Sequence, residues 1–375
     1  MRLTVDRLTA LRALRVFRAS SGGLPVARCD LPAPDPSPQR RWSARLVPLE
    51  RLALDQKPTT ERPVEVLAPS AKTRLQASFA RCSVRSTSIP SGSFVDLGDG
   101  LHIPAPELLF FELADVMTQP ALALLGYELC GTYARDAADP RLGGAAYDVP
   151  PVTSVDKIDG YLRLLGDRPA ALLARHVLSS VADNAWSPME AIVALMARLP
   201  AHELGYELGR IRLNVRRGAT PELVALGARE SRVPDIEVCG THVGFNYDGG
   251  DHLDLDSIAR AALGGDPHRA IRDVREKYLD DLKRNRELAA LGCVVLPVTA
   301  RDLFSPGGLD AVMLEAAMAI DELDGGPTLQ NMRAVLGSPR ERERRQQLLW
   351  SLLPWPEGAR HAREARAWRP WQTSA

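Results

Sequence analysis

The stretch Val233-Pro234-Asp235-Ile236-Glu237-Val238-Cys239-Gly240-Thr241-His242-Val243-Gly244-Phe245-Asn246-Tyr247-Asp248 decides how the second half of the chain is read. Side chains on a strand alternate between faces, so Ile236 and Val238 share one side while Asp235 and Glu237 take the other. In the following run Val243, Phe245 and Tyr247 are the apolar set, and His242, Asn246 and Asp248 lie opposite. If the two runs fold back across Cys239-Gly240-Thr241, Asp235, Glu237, Asn246 and Asp248 gather on one polar face.

Working outward, Ser187-Pro188-Met189-Glu190 opens a helix, with Ser as N-cap, Pro in the first turn and Ile192, Val193, Leu195, Met196 and Leu199 on one face. Strand-like runs are expected at 211–215, 233–239 and 242–248. A charged helix over 268–291 then leads to Cys293-Val294-Val295-Leu296-Pro297-Val298, which has the length and β-branching of a buried strand. Helix, three strands, helix, strand is an α/β order.

The first half reads differently. Leu3, Leu8, Leu11, Leu14 and Phe17 predict one amphipathic helix over 3–18, and 30–40 is rich in Pro and Asp and reads as a loop. Alternating segments at 64–67, 82–85 and 94–97 predict a small antiparallel sheet. Helices are expected over 106–116, 120–130, 157–165 (opened by Ser154) and 168–181. This gives an N-terminal region (1–62), a small sheet with a helical connector (63–183), an α/β domain (184–310) and a C-terminal segment (311–375). That segment holds four of the six tryptophans and many arginines, and is expected to be partly helical with its Trp side chains packed.

Lys plus Arg and Asp plus Glu both total 47, so no global field draws the chain to nucleic acid, and contact with DNA needs a local basic patch. Hydrophobic residues at 45% and charged residues at 25% are the balance of a chain that buries a core. The five cysteines are scattered and form no CxxC pair, which argues against zinc fingers and disulfide scaffolds and points to a reducing, cytoplasmic setting. No continuous apolar segment reads as a secretory signal or a membrane span. Neither a phosphate-binding glycine loop nor a nucleophile elbow is present.

Glu190, Asp235 and Asp248 are the candidate acidic set. Two or three convergent carboxylates are what Mg²⁺-dependent phosphodiester hydrolysis requires, because the ion polarises the phosphoryl oxygen and activates water through hard oxygen ligands. Each residue also has a plainer reading. Asp248-Gly249 is a turn signal, Asp235 follows Pro234 at the start of a strand, and Glu190 completes a capping box with Ser187.

The segment 187–303 resembles the endonuclease-like domain related to very-short-patch-repair endonucleases, within the PD-(D/E)XK restriction-endonuclease-like superfamily. The resemblance rests on Ser187-Pro188-Met189-Glu190, Asp235, Tyr247-Asp248-Gly249, His252, Asp281-Leu282-Lys283-Arg284, Gly292 and Val298-Thr299. It implies a mixed sheet flanked by helices and a Mg²⁺-dependent DNA endonuclease of DNA repair or phage defence. Asp235 and Asp248 would bind metal, Glu190 would bind metal or orient water, and His252 would assist proton transfer. Asn246 stands where that family places a second metal-binding Glu, with Glu237 the residue on the same face able to compensate. Lys283 and Arg284 are candidate phosphate contacts. The alternative is a nuclease fold without chemistry, acting as a DNA-binding regulator. The first half, through Gly100-Leu101-His102-Ile103-Pro104-Ala105-Pro106, is similar to proteins joining an AbiEi-type abortive-infection antitoxin region to such a domain.

Overall fold

The computed structural model describes residues 2–21, 23–25, 27–32, 43–85, 88–248 and 267–367. The chain is an α/β protein that divides into two compact units, Met1–Pro188 and Met189–Ala375.

The first unit begins with strand β1 (Leu3–Thr4) rather than a helix, and helix α1 runs Arg7–Ser21. Leu3 does not belong to the helical stripe because its backbone pairs with a segment nearly a hundred residues away. β1 lies parallel to β6 (Leu101–Pro104), and Val5 N–H donates to the His102 carbonyl at 3.0 Å. The Glu65 carboxylate accepts the first-turn N–H of Leu8 at 2.9 Å, capping α1 from a distant strand. The sheet order is β1-β6-β5-β2, with β2 at Arg28–Cys29 and β5 at Phe94–Asp96 antiparallel to β6. The expected antiparallel sheet is corrected for its other members, since β3 (Val64–Ala68) and β4 (Ala80–Val84) pair in parallel as a separate ladder. The connection between them crosses over, with one 3₁₀ turn at Ala71–Thr73, so alternation found the strands but not their direction.

Helices α2 (Pro106–Leu113), α3 (Gln119–Leu129), α4 (Val155–Leu164) and α5 (Pro169–Leu178) follow, with a two-strand ladder of β7 (Tyr133–Ala134) and β8 (Ala146–Tyr147) between α3 and α4. Ser154 caps α4 through Lys157 N–H. α1 is held by two buried cations on one face. Arg15 makes a two-pronged pair with Glu128 at 2.8 and 2.7 Å, and Arg18 donates to the carbonyls of Glu128, Gly131 and Pro150.

The second unit is built around α6 (Pro188–Arg198), whose residues from Glu190 to Ala197 are all buried. Its sheet has the order β14-β13-β12-β9, with β9 at Ile211–Leu213, β12 at Ile236–Val238, β13 at Val243–Asp248 and β14 at Val294–Thr299. β9, β12 and β13 form an antiparallel meander, and β14 adds parallel to β13 after the long helix α8 (Pro267–Ala290). Leu288 of α8 packs on Cys293 and Val295, which is what holds this crossover helix to the sheet.

β9 stops at Leu213 because Asn214 turns into the left-handed region at φ 51°. An excursion then projects between β9 and β12, with β10 (Arg217–Gly218) antiparallel to β11 (Ser231–Arg232) and the short helix α7 (Pro221–Ala225) at its tip. It lies in the interval that the sequence left as connection. Helices α9 (Ala300–Phe304), α10 (Gly308–Asp324), α11 (Thr328–Leu336), α12 (Pro339–Leu352) and α13 (Pro356–Ala367) complete the unit. Trp350 and Trp355 pack with Phe304 and His361, and Arg345 is buried beside Asp310 and over the Tyr206 ring. Trp368 and Trp371 lie outside the described residues. No helix among the described residues is long and apolar enough to cross a membrane.

Candidate functional site

The open end of the β12–β13 pair carries the site. The register places Ile236 opposite Phe245 and Glu237 opposite Gly244, so Asp235 faces Asn246 one step beyond the last paired residues. Gly244 is required by this close approach, since a Cβ there would come 2.4 Å from the Ile236 carbonyl oxygen. Asp235 and Asn246 clasp the open end. Tyr247 N–H donates to Asp235 Oδ2 at 2.7 Å, and Asp235 N–H donates to Asn246 Oδ1 at 3.0 Å. Asn246 is 1% exposed and spends its amide N–H on Asn285 Oδ1 of α8 at 3.3 Å.

α8 closes the site from above the strands. Residues three and four apart share a helix face, so Asp281, Arg284 and Asn285 turn together toward the strand ends. Arg284 Nη2 lies 3.5 Å from Asp248 Oδ1 and 3.4 Å from Asp281 Oδ1. One guanidinium therefore sits between two carboxylates beside a third, that of Asp235. Burial pushes the Asp235 carboxyl up to about 6, against the Tyr247 N–H and the Arg284 charge, which favour its ionised form, while Asp248 and Asp281 raise it further.

Glu190 approaches from the other side. Asn214 N–H donates to the Asp235 carbonyl at 3.0 Å, and the Asn214 amide donates to Glu190 Oε1 at 2.6 Å. Glu190 is thus joined to the Asp235 backbone through one asparagine, and its carboxylate is buried within that contact.

The other candidates fall elsewhere. Glu237 is on the expected face but is engaged by Arg217 at 2.6 Å and Arg212 at 3.1 Å, so it does not compensate for Asn246. Its partners come from the neighbouring strand and from the excursion, neither visible in the spacing of Glu237 itself. His242 pairs with Asp324, whose carboxylate also accepts the His242 backbone N–H at 2.9 Å. Lys283 is exposed, whereas Arg284 is turned inward. His252 lies outside the described residues. Sequence reasoning missed Asn214 and Asn285, for which no local signal existed, and gave Arg284 an outward role that the Asp281-to-Arg284 spacing argues against.

Among the described residues no group of three His, Cys, Asp or Glu side chains is placed to hold a metal ion. The donor chemistry agrees with that. The Asn246 oxygen is committed to a backbone N–H, the Glu190 carboxylate to Asn214, and Arg284 holds a positive charge against Asp248. The described residues do not fit a Mg²⁺ centre of the kind that the sequence pattern implies.

Asp235 sets a pH dependence. Its folded value of about 6 lies above the ordinary 3.8, so its favourable contribution is complete below pH 3.8 and is lost as pH rises through 6. Asp235→Asn is expected to leave stability near that of the wild type at pH 4 and to raise it by roughly 2–3 kcal/mol at pH 7. Urea unfolding at the two pH values checks this, and equal differences at both would contradict it. Comparison with protein-family models, curated proteins and solved structures finds no match.

Proposed function

We propose that the second unit holds a restriction-endonuclease-like core whose acidic centre is neutralised from within by Arg284, and that the protein binds DNA as a regulator without cutting it. The helix, antiparallel meander, crossover helix and parallel fourth strand support the nuclease-like core, as does the meeting of Asp235 and Asp248 at adjacent strand ends. The loss of chemistry rests on a single arrangement, the Arg284 guanidinium lying between Asp248 and Asp281. A cation fixed there supplies the charge balance that a divalent ion supplies in a working centre. The resemblance of the first half supports a regulatory or phage-defence role of the antitoxin type.

A second reading, a Mg²⁺-dependent endonuclease, draws on the convergence of Asp235, Asp248 and Asp281. Incubating the full chain with supercoiled plasmid and Mg²⁺ or Mn²⁺ separates the two. The regulator retards the plasmid and leaves it supercoiled. Nicking that is abolished by Asp235→Ala would establish the enzyme instead.

A further inference from the structure

The inward turn of Arg284 has an outward counterpart on the same helix. With Asp280 and Glu287 paired to Arg232, Asp281 and Arg284 facing the strand ends and Leu288 packed on β14, one side of α8 over 280–288 is engaged within the unit. On the opposite side Arg272, Arg275, Leu279, Leu282 and Arg286 follow one another at intervals of three and four residues, with Lys283 beside them. All six are exposed, the two leucines at 46% and 49%. Among the described residues none of the four cations forms an ion pair, and Glu276 is the one acid on this face.

In a chain with formal net charge zero this is a local concentration of cations on a single helix. We infer that this face of α8 is the surface that meets the phosphate backbone of duplex DNA, an assignment that rests on the DNA-binding reading above and gives it a location. The cations form two pairs, Arg272/Arg275 and Lys283/Arg286, whose centres are eleven residues apart, or about 16 Å along a helix that rises 1.5 Å per residue. That reach spans a major groove about 12 Å wide, so each pair meets the phosphates on one rim. Leu279 and Leu282 lie between the pairs, over the groove, where apolar side chains contact thymine methyl groups. The same stripe has the 3-4 spacing of a coiled-coil seam, but a second copy laid antiparallel would place Arg275 beside Arg286 of its mate and set like charges against each other.

The test is fluorescence anisotropy of the full chain with a labelled duplex of roughly two helical turns, read between about 50 and 200 mM salt. The variant Arg272→Glu/Arg275→Glu/Lys283→Glu/Arg286→Glu changes exposed side chains only, so circular dichroism and the melting temperature are expected to match the wild type. Its affinity is expected to fall by on the order of 10³-fold, and the slope of log K against log salt to become shallower by roughly 3 to 4. Wild-type binding that survives the four reversals unchanged overturns the assignment of this face while leaving DNA binding intact. Absence of binding by the wild-type chain overturns both. Loss of a wild-type dimer in the variant, seen by sedimentation without any change in DNA affinity, overturns the assignment in favour of a self-association surface.

Discussion

Asn246→Glu is expected to destabilise the second unit by on the order of 3–4 kcal/mol at pH 7. The position is 1% exposed, its oxygen already accepts the Asp235 N–H, and its amide N–H is held by Asn285. A glutamate adds one methylene to this packed spot and places a second carboxylate beside Asp235, which burial and the neighbouring acids already push up to about 6. It also leaves Asn285 Oδ1 without its amide donor. Two buried carboxyl groups side by side share a proton when they can, so the cost is smaller near pH 5 than at pH 7. Urea unfolding of the variant measures both. Were the Glu variant as stable as the wild type, and nuclease-active with Mn²⁺, Asn246 would be an isolated lesion in an otherwise working centre and Arg284 would not be the neutralising group.

The other large effect is expected at α1. Arg15→Met should cost about 3–5 kcal/mol, because Glu128 then keeps its charge in the core without its two-pronged partner. Arg135 N–H still donates to Glu128 Oε1 at 3.1 Å, which softens the loss without replacing a cation. The cost comes mainly from the stranded carboxylate, so Arg15→Met combined with Glu128→Leu is expected to recover most of the lost stability. Thermal or urea unfolding of both single variants and the double variant completes the cycle. Additive losses would show that the two residues contribute independently, by packing rather than by pairing.

Much of the second unit was legible because period carries topology there. Alternation placed Asp235, Glu237, Asn246 and Asp248 on one face, and the strands on either side of Cys239-Gly240-Thr241 pair antiparallel as expected. The order of α6, β9, β12, β13, α8 and β14 likewise follows from strand and helix periods, the β10–α7–β11 excursion excepted. Ion-pair partners were not legible. Glu237 and Arg284 read alike as charged residues beside a site, yet the first is engaged by arginines on β9 and β10 and the second supplies the positive charge at the centre of the acids. Which way Arg284 points depends on how α8 is rotated, and the rotation is set by Leu288 against Cys293 and Val295 together with the Arg232 pairs. In the first unit the errors share one cause. Leu3 and the β3–β4 ladder take their geometry from partners distant in the chain or from the path of a crossover, and neither leaves a local pattern.

The proposed reading, in which Arg284 stands in for a catalytic ion, has a direct consequence for Mn²⁺. Titrating the full chain with Mn²⁺ at pH 7 and following free ion by electron paramagnetic resonance is expected to show no saturable site for the wild type. Arg284→Ala is expected to bind one equivalent, with Asp235→Ala in that background removing it. One tight equivalent bound by the wild-type chain, and lost in Asp235→Ala alone, would contradict the account.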